Sequence, residues 1–119
     1  MAAAERDDRA LPEFTEIDRL VHEPARLMLM AALYVVESAD FLFLMHQTNL
    51  TQGNLSSHLN KLEAAGYIDV EKGFRGKRPQ TTLRLTPAGR AAFDTYRQRM
   101  AQVLASVPTN QHHEGEERP

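Results

Sequence analysis

The sequence contains no cysteine, which removes disulfides, thiolate metal sites and a cysteine nucleophile in one step. It has no apolar run near the roughly 20 residues needed to span a bilayer, so no contact with a membrane is expected. The opening MAAAERDDRA is acidic and polar, unlike a secretory signal. A Gly-rich phosphate loop, a His-Glu-x-x-His pair and a serine in an elbow context are all missing. The paired acids Glu116-Glu117 lie in the tail with nothing around them to tune proton transfer. These absences point to a cytoplasmic protein that is not an enzyme. Without staples, its fold must rest on core packing or oligomerisation.

What is present suits one domain: 119 residues, 42% hydrophobic and 25% charged. The net charge of −2 hides an asymmetry. Residues 1–23 carry seven acids against three bases. Residues 51–99 carry nine bases (Lys61, Lys72, Arg75, Lys77, Arg78, Arg84, Arg90, Arg97, Arg99) against four acids. Positive charge gathered in one block of a near-neutral chain is the footprint of a phosphate-binding surface.

Residues 1–12 are expected to be a disordered arm, 13–107 the folded domain and 108–119 a disordered tail. Phe14, Ile17, Leu20 and Val21 recur at three and four, which predicts a short amphipathic helix. Pro24 fits the first position of the next helix, PARLMLMAALYVVE, whose nearly continuous apolar surface predicts the buried centre. Its methionines read as core filler rather than a cofactor box. Ser38 is the expected cap of a third helix, with Asp40 in its first turn and Phe41, Leu44 and Met45 inward. That helix should stop near Thr48-Asn49, and Leu50-Thr51 supplies an apolar N′ residue and a cap for another. Two helices joined by about three residues make a helix-turn-helix.

In TQGNLSSHLNKLEAAGYI (51–68), Leu55, Leu59 and Leu62 share one face. Gly53, Asn54, Ser57, Asn60, Lys61 and Ala64 fall on the opposite half, and Gly66 suits a left-handed cap. Tyr67 to Lys72 alternates, with Ile68 and Val70 inward, as do Leu83 and Leu85. Between them GFRGKRPQ (73–80) reads as a basic loop, so the pair forms a hairpin or wing. Thr86-Pro87 then starts a long helix to about Val107. Its apolar residues Phe93, Tyr96, Met100, Val103 and Val107 step by three and four, the period of a coiled-coil seam. That seam serves either the chain's own core or a dimer. Leu104, a second apolar edge, favours the dimer, whose expected residues are Phe14, Ile17, Tyr96, Met100, Val103, Leu104 and Val107. The fold class is mainly α with a small β-hairpin, an α+β winged helix-turn-helix with a long C-terminal dimerisation helix at about 87–107.

HEPARL at 22–27, LTQGNLSSHLNKLEAAGYI at 50–68 and FRGKRPQTTLRLTPAGRAAF at 74–93 resemble the small winged-helix DNA-binding regulators related to the MarR and ArsR groups. The likeness covers roughly residues 14–104. It implies a homodimeric transcription regulator, most often a repressor, that binds double-stranded DNA at a pseudo-palindromic operator. The recognition helix, about 51–65, would enter the major groove and the wing would lie on the backbone or minor groove. The residue chemistry agrees independently: Asn and Gln bond adenine edges, Ser bonds bases or phosphate, and Lys reaches guanine or phosphate. The expected DNA-binding residues are Gln52, Asn54, Ser57, Asn60 and Lys61, with Ser56 toward phosphate, and Arg75, Lys77 and Arg78 on the wing.

ArsR-like metal sensors commonly use cysteine thiolates, which this chain lacks. His22, His46 and His58 read as packed or half-buried side chains, and His112-His113-Glu114 is a poorly organised site in the tail. No metal and no cofactor is therefore expected. A small-molecule effector would fit a dimer cleft between the first and last helices, though no residue specifies one. The rival reading is a winged-helix module that binds another protein through its long helix.

Overall fold

The computed structural model describes residues 17–109. In chain order these form α1 Pro24–Val35, β1 Ala39–Asp40, α2 Phe41–Thr48, α3 Gln52–Ala64, β2 Ile68–Arg75, β3 Arg78–Leu85 and α4 Pro87–Ala105. The order is that of a winged helix-turn-helix, with an antiparallel sheet arranged β1-β3-β2. Asp18–Tyr96 makes one compact unit, and the chain from Arg97 onward falls in a second.

The core of the first unit comes from the leucine spacing. Leu29, Met30, Leu33, Leu44, Leu55, Leu62, Ile68 and Leu83 are fully or almost fully buried, and burying one such side chain contributes about 1.5–3 kcal/mol. α1 packs against α2, α3 and β3. Glu23 caps it, its carboxylate accepting from the Arg26 amide at 2.8 Å, and Pro24 sits at the first helical position. That amide holds the Glu23 carboxyl below the usual carboxylate range. α1 is not buried all round, however: Met28 is exposed and Val35 is 83% exposed. The neighbouring elements cover only the face bearing Ala25, Leu29, Met30 and Leu33.

Three local expectations change. The described part of the predicted first helix, residues 17–23, forms turns; Phe14 lies outside the described residues. Asp18 Oδ1 accepts from the amides of Leu20 (2.9 Å) and Val21 (3.3 Å), a local bond that competes with helix formation. Pro24 then holds Glu23 extended, at φ −148°. The cap of α2 is Asp40 rather than Ser38, accepting from the Phe43 amide at 2.7 Å. Ala39-Asp40 instead pairs with Leu83 and Thr82 as a third strand. Leu44 is the buried anchor of α2, with Phe41 and Met45 half-buried.

The expected loop 73–80 is mostly paired strand. Register runs from Ile68↔Leu85 to Arg75↔Arg78, leaving Gly76-Lys77 as a two-residue turn. Gly76 has φ +65° and Lys77 has no positive φ, the pattern of a type II′ hairpin turn.

Tyr67 ties the start of β2 to the turn before α1. Its hydroxyl donates to Asp18 Oδ2 at 2.7 Å. That bond, then burial and the carboxylate's charge, pushes the phenol up to about 12. The neutral phenol is favoured in the folded chain, so this stabilisation is complete below pH ~10 and is lost as pH rises toward ~12. Tyr67→Phe should cost about 1 kcal/mol at neutral pH, discounted for partial exposure. Its melting temperature should approach that of the native chain as pH climbs through that window. Melts at pH 7 and pH 11 check the sign; a gap that widened with pH would contradict it.

Candidate nucleic-acid interface

The helix-turn-helix is set by caps. Thr48 ends α2, and Asn49 turns the chain in the left-handed region at φ 58°, a conformation asparagine tolerates better than most residues. Thr51 then caps α3, its Oγ1 accepting from the Asn54 amide at 3.1 Å. At the far end the Gly66 amide donates to the Glu63 carbonyl (2.9 Å) and the Tyr67 amide to the Leu62 carbonyl (3.0 Å). With Gly66 at φ +80°, this is a Schellman closure, and it aims the chain directly into β2.

Between the caps, Leu55, Leu59 and Leu62 are buried. Gln52, Gly53, Asn54, Ser57, Asn60 and Lys61 are exposed, and Ser56 is half-buried. Every polar side chain assigned to the outer face of α3 is thus open to solvent, and Ser56, assigned to phosphate, is less so. His58, on the edge, holds α3 against α1: Arg26 Nη1 donates to its Nδ1 at 3.1 Å. The Glu23 carboxylate lies 3.8 Å from the same nitrogen. Arg26 is itself fixed by a 2.7 Å bond from Nε to the Leu20 carbonyl. His46 is exposed, and His22 is exposed with Nδ1 2.8 Å from the Tyr96 hydroxyl; both are more open than the packed or half-buried side chains expected.

The wing stands beside the same helix. A cleft of about 450 Å³ is lined on one side by Gln52, Ser56 and Asn60, four residues apart along α3. The hairpin contributes Val70, Lys72, Pro79, Gln80, Thr81 and Leu83, and Asp40, Phe41 and Leu42 at the start of α2 add to the lining. Strand alternation explains most of the hairpin part, since Val70, Lys72 and Phe74 share a face with their partners Leu83, Thr81 and Pro79; Gln80 comes from the other face, its amide 3.5 Å from Asp40 Oδ2. Arg75 and Arg78 lie on the other face, directly across from each other. The wing bases named from sequence therefore flank the hairpin tip. The base that shares the cleft with α3 is Lys72, which was not singled out. The alternation that sends Val70 inward carries the signal for it.

Among the described residues, Lys61, Lys72, Arg75, Lys77 and Arg78 form no ion pair. Arg84, by contrast, lies 3.4 Å from Glu71. Like charges facing across a strand pair destabilise it, and Arg75 and Arg78 face each other in this way. Lys61 and Lys72 beside the polar face of α3, with Arg75, Lys77 and Arg78 at the hairpin tip, can hold phosphates, while the amides and hydroxyls of α3 can read base edges.

The residues expected at a dimer contact divide. Tyr96 is buried within its own unit and Val103 is buried in the single chain. Ile17 and Met100 are half-buried. Leu104 and Val107 are 67% and 55% exposed. No three His, Asp or Glu side chains gather to hold a metal among the described residues. His112 and His113 lie outside them. No described helix is long and apolar enough to cross a membrane.

Residues 25–104 match the family described as Winged helix DNA-binding domain. An uncharacterized protein of Methanocaldococcus jannaschii is 33% identical over 89 residues, covering 75% of this chain and 97% of that protein. Among solved structures, a transcriptional regulator homologue from Pyrococcus horikoshii superposes with a TM-score of 0.78 at 27% identity. That match covers 83% of this chain and all of the other. A MarR-family transcriptional regulator from Silicibacter pomeroyi shares the fold at TM-score 0.54 and 23% identity, covering 87% of this chain and 70% of its own.

Proposed function

The chain belongs to the winged helix DNA-binding domain family, and from that premise we propose that it is a homodimeric transcriptional repressor of the MarR-like type. α3 lies in the major groove, and the wing lies on the backbone or minor groove of a pseudo-palindromic operator. One observation carries the reading: a capped, leucine-anchored helix exposes Gln52, Asn54, Ser57, Asn60 and Lys61 beside a wing whose Lys72, Arg75, Lys77 and Arg78 have no ion-pair partner among the described residues. The exposed Leu104 and Val107 support pairing through the end of α4. Two-fold symmetry would set the half-sites about one helical turn, ~34 Å, apart. An apolar effector acting on the dimer would be the natural input.

Asn54, Ser57 and Asn60 take the base edges in this reading, and Gln52 and Ser56 work from the flank beside the wing. Asn54→Ala or Asn60→Ala should change which sequences are bound, costing about 1–3 kcal/mol at the cognate base and little elsewhere. Sequencing genomic fragments captured by the native and variant proteins checks this. Unchanged sequence preference in both variants would remove these residues from base reading.

A further inference from the structure

Phe74 is an apolar ring at the end of a charged hairpin. It is 73% exposed even though Pro79 lies across from it on the neighbouring strand, so packing on the proline leaves most of the ring in water. A lone exposed aromatic needs no explanation on a neutral surface. Here it sits between Lys72 and Arg75 in sequence, with Lys77 and Arg78 around the turn, and none of those four cations has an ion-pair partner among the described residues. Its direction matters more. Phe74 follows Val70 and Lys72 on one face of β2, and those two residues line the cleft opposite Gln52, Ser56 and Asn60. Two strand residues advance about 6.6 Å, so the ring lies just past the mouth of that cleft, on the side the polar flank of α3 faces.

Building on the DNA-binding reading, we infer that Phe74 is the wing's apolar contact to the duplex, seated against the sugar walls and base edges of the minor groove beside the half-site read by α3. The surrounding cations select a polyanion as the occupant and hold its phosphates. The ring covers the apolar surface that phosphates leave between them, as apolar side chains do in other minor-groove contacts. Lys72 and the Arg75–Arg78 pair then bracket the ring from both faces of the hairpin.

The test uses the full chain and a duplex from upstream of its own gene, measured over a range of salt. Phe74→Ala should weaken binding about tenfold, since most of a phenylalanine's burial is forgone, while the salt dependence stays parallel because no charge is lost. Phe74→Leu should keep most of the affinity. Hydroxyl-radical cleavage, which reports on minor-groove sugars, should show protection flanking the half-site that Phe74→Ala loses and Phe74→Leu retains. Melting temperatures of both variants should match the native chain, as the ring is outside the core. Native affinity and footprint in Phe74→Ala would overturn the inference and leave the DNA-binding reading standing. Loss of binding that tracks a changed molecular mass in light scattering would also overturn it, assigning the ring to a protein contact. Absence of salt-sensitive binding by the native chain would instead sink the reading beneath it.

Discussion

A Gly89→Ala variant is expected to lose about 3 kcal/mol of stability and to melt roughly 10–20 °C below the native chain. Gly89 lies in the first turn of α4, where it meets the turn that closes α3. Thr86 organises the junction: its amide donates to the Tyr67 carbonyl at 3.0 Å and its hydroxyl to the Gly66 carbonyl at 2.6 Å. Its Oγ1 accepts in turn from the Gly89 amide at 2.9 Å. A Cβ on residue 89 would overlap the Tyr67 carbonyl oxygen and come within 2.8 Å of its carbon and 3.0 Å of its Cα. Every clashing atom is backbone, and that backbone is held by the Schellman closure on one side and β2 on the other. No side chain can swing away. Gly73→Ala is the control, because a Cβ there meets nothing within 4 Å. Thermal melts followed by circular dichroism decide the matter. A Gly89→Ala melt within about 3 °C of native would mean that α4 does not approach Tyr67 this closely.

That junction also shows why parts of the fold were legible and others were not. α3 was readable because its signals are local: a threonine cap, leucines at four and three, and a glycine at the exit. The start of α4 was readable for the same reason, through Thr86-Pro87. β1 was not, because two residues become a strand only by pairing with Leu83 and Thr82, some forty positions away. Nothing in Ser38-Ala39-Asp40 announces that partner, so local cap chemistry points to Ser38, two positions before the actual cap. The extent of the wing strands is hidden for a related reason. GFRGKRPQ holds two glycines and a proline, which locally read as loop. Pro79 is tolerated because β1 reaches only Thr82 and Leu83, leaving β3 at Pro79 with an open edge where a missing N–H costs little.

The candidate site divides in the same way. The outward face of α3 follows from helical geometry, and the structure exposes that face as expected. The wing residues required strand register, which a loop assignment withholds. Once the register is known, Lys72 and Phe74 fall on the side of α3, and Arg75 and Arg78 on the other.

The register makes the wing bases a clean target. The triple variant Arg75→Ala, Lys77→Ala, Arg78→Ala should bind its operator with a salt dependence shallower by about 2.7 in log–log slope, three phosphate contacts at about 0.9 each. At about 0.15 M salt the same loss of counterion release corresponds to roughly a hundredfold weaker binding. Stability should hold or rise slightly, because none of the three bases pairs with an acid among the described residues. Removing the Arg75–Arg78 juxtaposition also relieves a repulsion. The effect should be uniform across operator sequences, since phosphates carry no base identity. This separates the wing from α3, whose Asn54 and Asn60 variants should shift sequence preference and leave the slope unchanged. Titrations of native and triple-variant protein on one duplex at several salt concentrations give both quantities at once. A slope unchanged in the triple variant would remove the wing tip from the phosphate contacts. A native chain indifferent to DNA that forms a stable complex with another protein would favour an interaction module built on the same fold, since a fold by itself does not fix what it binds.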